Sequence, residues 1–376
     1  MSLYLDYNAS TPILPEVLDT IIDTYKNTPG NADSRTHIYG TNAQKLVNDS
    51  RATISSILNI DPSELVFTSG STESNNTVIL GIQEFAKKAG KNHIVTTAIE
   101  HKAILEPLHY LESIGFTVDF IKPDESGRVK SEDILNKITY QTGLVSVMFV
   151  NSETGIIQPV DAIGSELKKR GILFHVDATQ ALGKLNDQIR HLDYDLLSIA
   201  SHKIGGPQGI GALVRKRNAS YENPPIKQLM YGGGQERGFR PGTTPVALVA
   251  GFAKAVELSE KNLASHTQKC KKIKKDFFDA ISEFKYEING DPDYCLPSTV
   301  NVSINGLDAE AAFLCLGDEY SFSNGSACNS SSHSLSYVLE AMGLSEKRRS
   351  EAIRLSWNGS IDIDFSNFVS IVKSII

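Results

Sequence analysis

Asp195–Leu196–Leu197–Ser198–Ile199–Ala200–Ser201–His202–Lys203 decides how this chain is read. An apolar, β-prone run ends on a polar Ser-His-Lys, and the glycine-rich turn Ile204–Gly205–Gly206–Pro207–Gln208–Gly209–Ile210–Gly211 follows. Such a run is a buried strand whose last side chains emerge at one end of a sheet. In open α/β sheets the strand ends are where ligands collect. A partly desolvated lysine there sheds its proton readily, and a neutral amine forms a Schiff base with an aldehyde. An ordinary solvated lysine fits the same stretch, so the rest of the chain has to decide.

Outward from this stretch, apolar runs at Leu65–Thr68, His93–Thr97, Thr117–Ile121, Gly143–Val150, Ile172–Val176 and Leu196–Ser201 alternate with helical stretches. Gly211–Arg215 reads as a hairpin member. This alternation predicts a mainly parallel sheet covered by helices. The arm Leu3–Pro12 is extended with a turn, and a helix is predicted from about Pro15 to Tyr25. Beyond about residue 250 the pattern changes to a long helix, Val246–Lys275, and shorter mixed elements. The expected organisation is a large α/β domain over 14–250, with 1–13 and 251–376 forming a smaller α+β domain. The basic run Lys269–Lys275 reads as a solvated helix face.

Composition narrows the function classes. At 376 residues the chain is long for one compact domain. Lys and Arg number 37 against 44 Asp and Glu, which argues against binding duplex nucleic acid in its own right. Met1–Asp6 lacks the basic and apolar regions of a signal peptide, and no apolar run approaches a bilayer span. The cysteines Cys270, Cys295, Cys315 and Cys328 have the spacing of neither a metal site nor a disulfide framework. A soluble cytoplasmic protein with reduced thiols, no metal and no membrane association is expected.

Four stretches carry chemistry. Leu65–Thr68 followed by Ser69–Gly70–Ser71–Thr72 joins a strand to a helix start, gathering backbone N–H groups and hydroxyls into an anion cradle. It lacks the Walker lysine pattern, and a merely well-capped helix would look alike. Phe174–His175–Val176–Asp177 ends an apolar run on an acid that needs a cationic or donor partner when buried. A protonated pyridine nitrogen, as in pyridoxal phosphate, is one such partner. His101 follows another strand and is able to stack on a ring and move protons, though a structural histidine fits too. Cys328, in Ser323–Ser332, sits in a small, polar setting, whereas Cys315 has the apolar neighbours of a structural thiol. With an ordinary thiol pKa of roughly 8.5, Cys328 is the candidate reactive cysteine.

Assembled, these residues resemble the cysteine desulfurases of the iron–sulfur and nitrogenase-maturation type, pyridoxal-phosphate enzymes of the class V aminotransferase family. The resemblance runs from Tyr4–Ala9 to Arg354–Ser356, through FTSGSTESNN (67–76), EHKA (100–103), HVDATQ (175–180), SHKIGGPQGIGAL (201–213), GGGQERGFRPGT (232–243) and NGSACNSS (324–331). It implies the fold type I of pyridoxal-phosphate aminotransferases. It also implies that Lys203 binds the cofactor aldehyde, His101 stacks on the ring, Asp177 pairs with the ring nitrogen and Gln180 reaches the ring oxygen. Ser71, Thr72 and His202 would hold the phosphate, and Thr243 would reach the phosphate in the other subunit of a homodimer. Arg354 would grip the L-cysteine carboxylate. Cys328 would accept sulfur as a persulfide, for delivery to an acceptor protein in iron–sulfur assembly, tRNA thiolation or DNA phosphorothioation.

Four departures stand out. The family's Asn-Asn-Glu is Asn151–Ser152–Glu153, so cofactor and substrate contacts at this point fall to Asn151 and the shorter Ser152. The family's phosphate-binding serine is Ala200, with Ser201 adjacent and able to supply the hydroxyl. Leu-Gly-Arg after the arginine reads Trp357–Asn358–Gly359. The chain ends at Ile376 without the tail by which some relatives dock an iron–sulfur scaffold. That shifts the expectation towards a dedicated sulfur-modification pathway, the DNA one included. A selenocysteine lyase or another pyridoxal-phosphate lyase or transaminase is the alternative, and a non-catalytic binding homologue a third.

Overall fold

A computed structural model describes residues 2–323 and 335–376. The chain starts with β1 (Leu3–Tyr4). Seven strands then build the main sheet: β2 (Leu65–Thr68), β3 (His93–Thr97), β4 (Thr117–Ile121), β5 (Thr142–Met148), β6 (Leu173–Asp177), β7 (Leu196–Ala200) and β8 (Gly211–Arg215). Their order is β2-β8-β7-β6-β5-β3-β4. Strands β3 to β7 run parallel, and β8 is antiparallel to both β2 and β7. The mainly parallel sheet is therefore as the alternating pattern predicts.

Strands β3, β5 and β7 are buried along their whole length. Helices cover both faces, as a parallel sheet requires. Successive side chains go to opposite faces: Val145, Val147, Leu197 and Ile199 enter one core, Leu144 and Leu196 the other. His175 shares the second face, where its ring bridges Ser146 and Ser198 at 2.9 Å each. Two residues on, Asp177 emerges on that same face at the sheet's carboxyl edge. Met148 lies opposite it in register.

Some boundaries move for identifiable reasons. β5 stops at Met148 because Val150 bridges to Ile157 in the following loop. β7 stops at Ala200 because Ser201–Lys203 form a 3₁₀ turn. The long helix runs Val246–Ala280, extended by the burial of Phe277. Its first half packs in the main core, whereas Cys270, Ile273 and Phe277 pack in a second core. The boundary expected at residue 250 thus falls inside one continuous helix.

The second core backs the antiparallel β9 (Tyr286–Ile288), β10 (Thr299–Ile304) and β12 (Ala352–Ser356), ordered β12-β10-β9. β1 pairs in parallel with β11 (Tyr320–Ser321) and brings Leu5 into this core. In the helix Ala309–Leu316, Ala309, Ala312 and Leu316 face inward. Cys315 is consequently exposed, and the structural role read from its apolar neighbours is corrected. Lys269, Lys271, Lys272 and Lys275 are exposed on the long helix, and Lys272 pairs with Asp276. Among the described residues no helix is long and apolar enough to cross a membrane.

Candidate active site

A cavity of about 320 Å³ opens at the carboxyl edge of the main sheet. That is the lower end of the usual range for small-molecule sites, roughly 300–1,000 Å³. Ser71, Thr72, His101, Ser152, Asp177, Gln180, His202, Lys203 and Arg354 all line it.

Gly70 makes the first corner. Its φ of +154° and ψ of 178° lie in a region open essentially to glycine alone. The turn delivers Ser71 and Thr72 as the first residues of the helix Ser71–Gly81. First-turn N–H groups of a helix have no intrahelical acceptor, and the dipole favours an anion there.

Asn75 on this helix donates Nδ2–H to Asp177 Oδ2 at 2.7 Å, and Thr179 N–H donates to Oδ1 at 3.0 Å. The carboxylate is thereby held at the floor of the cavity. His101 caps the helix Lys102–Ser113, its Nδ1 accepting from Ala103 N–H at 3.0 Å. In the neutral ring this places the proton on Nε2. Burial, then the Lys203 charge, then His101 push His202 down to about 4, so it stands neutral.

Lys203 closes the 3₁₀ turn after β7 and donates from Nζ to the Asn8 and Ala9 carbonyls at 2.6 and 2.7 Å. Gln180 donates to Asn8 O at 2.8 Å and accepts from Lys184 Nζ at 2.9 Å. The N-terminal arm is therefore part of the wall, a role the sequence reading missed. The polar Asp6 and Asn8 alternating with buried Leu5 and Tyr7 were the signal for it.

Arg354, on β12, is almost wholly buried and pairs with Asp6. Its Nη1 donates to Ser152 O at 3.2 Å, while its Nε has no partner among the described residues. Ser152 meets its neighbours through its carbonyl, which also accepts from Asn8 Nδ2 at 3.0 Å.

Three candidates are placed elsewhere. Asn151 is buried, and its amide holds the loop together. It donates to Ile99 O and accepts from the Glu153 and Thr154 N–H groups. Ser201 is buried beside Gly206, off the cavity wall, because the 3₁₀ turn rotates it towards the long helix. Thr243 is exposed outside the cavity. Cys328 lies outside the described residues.

Two buried acids also escaped the sequence reading. Glu153 lines the cavity, accepts from Ser336, and is pushed up to about 7 by burial. Glu100 lies behind it, pushed up to about 8 by burial, with Thr97 and the Met148 N–H bound to its Oε1. Only their position at strand-to-loop junctions marked them.

The donor set fits pyridoxal phosphate. It combines an amine, a fixed carboxylate, a neutral imidazole and a helix start with two hydroxyls around one cavity. Asn75, which holds that carboxylate, has a buried Oδ1 with no partner among the described residues.

Comparison with known proteins agrees. The aminotransferase class-V family matches residues 3–356. The mitochondrial cysteine desulfurase of Saccharomyces cerevisiae is 41% identical over 94% of this chain and 70% of its own length. A solved NifS-like protein superposes with a TM-score of 0.90 at 32% identity, covering 100% of this chain and 98% of its own. A structure of SspA in complex with cysteine has a TM-score of 0.81 at 35% identity, covering 94% and 98%.

Proposed function

The chain belongs to the aminotransferase class-V family, and from that premise we propose that it is a cysteine desulfurase, converting L-cysteine to L-alanine with a persulfide left on Cys328. The observation that carries this reading is one cavity lined by Lys203, Asp177, His101 and Arg354 together. Curated relatives named as cysteine desulfurases support it.

Pyridoxal phosphate, when bound, supplies an electron sink for charge developing at the substrate Cα. Lys203 would hold it covalently, Asp177 would face its ring nitrogen and His101 its ring. Ser71, Thr72, His202 and the helix start would face its phosphate. Gln180 would reach its ring oxygen with its second Nε2–H, the first being donated to Asn8 O.

The chain's own residues then divide the labour. Arg354 binds the L-cysteine carboxylate, using donors left over from Asp6 and Ser152. The Lys203 amine takes the Cα proton, and His101, whose neutral ring carries its proton on Nε2, would donate that proton to the carbon freed of sulfur. The Cys328 thiolate attacks the substrate Sγ, forming an S–S bond. The Cβ–Sγ bond breaks with its electron pair left on carbon, and protonation there, with return of a proton to Cα from the Lys203 ammonium, yields L-alanine.

We further propose a cytoplasmic homodimer, with Thr243 facing the partner's phosphate site. Residues 14–250 are taken as the cofactor domain, and 1–13 with 251–376 as the smaller one. The purified protein given L-cysteine and a dithiol should release L-alanine and sulfide in equal amounts. Absence of L-alanine would remove the reading.

A further inference from the structure

A second cavity, of about 180 Å³, lies on the far side of Lys203, which lines both spaces. Its walls include Leu258 and Leu263 of the long helix, together with Lys184, Ser298 and Trp357. Trp357 begins the Trp-Asn-Gly segment that departs from the family pattern, and no step proposed above uses it. The same segment is pinned to the long helix at Gly359, where a Cβ would come within 2.4 Å of the His266 backbone.

The charge in this space is one-sided. Lysines 184 and 203 line it, and no Asp or Glu does among the described residues. The hydrogen-bond partner of Lys184 is the neutral Gln180 oxygen, at 2.9 Å. Burial, then the charge of Lys203, hold Lys184 down at about 7. Trp357 Nε1 and Ser298 Oγ are buried polar atoms with no partner among the described residues. A buried polar group left unpaired costs free energy, and a half-buried ammonium is stabilised most by an anion.

We infer that this second cavity is a binding site for a small carboxylate with a compact apolar body. The carboxylate meets Lys184, and the apolar part fills the leucine-lined space. The size suits a single ring, since an apolar cavity of roughly 150 Å³ takes up benzene. A small inorganic anion satisfies the charge but leaves the apolar walls unfilled.

The site is joined to the catalytic one by a hydrogen-bond chain. Lys184 donates to Gln180, and Gln180 donates to Asn8 O, the carbonyl that Lys203 Nζ also meets while its amine is free. A carboxylate that draws Lys184 away frees Gln180 Oε1, on the side chain that lines the catalytic cavity. Binding is independent of the desulfurase reading; an effect on L-cysteine turnover rests on it.

The test titrates the holoenzyme with benzoate by calorimetry while following tryptophan emission. Trp357 is the sole tryptophan, so the signal reports on this cavity. Benzoate should bind saturably with one site per chain and shift the emission. Benzamide, its neutral isostere, should bind at least tenfold more weakly. Lys184→Met should weaken benzoate roughly tenfold to a hundredfold, the loss expected of a charge-assisted hydrogen bond. Leu263→Phe, which fills the space from its half-exposed rim, should abolish binding, and it decides the matter if Lys184→Met does not fold. No saturable binding, benzamide as tight as benzoate, or undiminished benzoate binding in a folded variant would each overturn the inference. The last result would place benzoate on Arg354 instead.

Discussion

Replacing Glu100 by Gln should change how stability depends on pH, because this acid is held protonated inside the protein. Burial raises it from the ordinary 4.5 to about 8, against the opposing hydrogen bonds from Thr97 and Met148 N–H. Below about pH 4.5 the carboxyl is protonated in both folded and unfolded chains and imposes no cost. Between 4.5 and 8 the unfolded chain releases the proton and the folded chain keeps it. Native stability therefore falls as pH rises, by about 1.4 kcal/mol per unit for one proton. Above 8 the cost levels off, at a total on the order of 5 kcal/mol. Gln keeps an oxygen for Thr97 and Met148 N–H but does not titrate. Urea midpoints of both holoproteins at pH 5, 6, 7 and 8 isolate this one group, since every other titration is common to the pair. The Gln variant should match the native chain near pH 5 and exceed it by several kcal/mol at pH 8. Parallel curves across that range would refute the reasoning.

Other expectations follow from single contacts. Arg354→Lys removes the planar fork and should raise KM for L-cysteine by roughly tenfold to a hundredfold, with kcat affected less; an unchanged KM contradicts its role. Asp177→Asn keeps the shape next to Asn75 but loses the charge, and should lower turnover by about 10²- to 10⁴-fold while the protein stays folded. Gly70→Ala meets no atom of the described residues within 4 Å, so its cost is backbone strain, about 1–3 kcal/mol by urea unfolding. Lys203→Ala should abolish both turnover and the visible absorbance of the bound cofactor.

The sheet was legible because its strands are short apolar runs ended by polar or glycine-rich turns. Leu65–Thr68, His93–Thr97, Thr117–Ile121 and Gly211–Arg215 have the bounds read from sequence. What failed was side-chain direction after a strand ends. Ser201 and His202 are neighbours, yet one 3₁₀ turn sends the first towards the long helix and the second into the cavity. Asn151 likewise has a polar side chain at the right place in the chain, but backbone N–H groups of its own loop consume it. The arm at Asp6 to Ala9 joins the site through contacts remote in sequence, Lys203 to the Asn8 and Ala9 carbonyls and Asp6 to Arg354, beside the pairing of β1 with β11 more than 300 residues away. Cys315 shows the same limit on a helix, where position on the wheel outweighs the apolar character of its neighbours.

The central claim is that this chain moves sulfur from L-cysteine to its own thiol. The most direct test is L-alanine formed per active site from L-cysteine and a dithiol, comparing the native protein with Cys328→Ala. The native chain should complete multiple turnovers and the variant none, both retaining bound cofactor. Equal turnover by the two would show that Lys203 and the cofactor act without Cys328, and a lyase would replace the desulfurase.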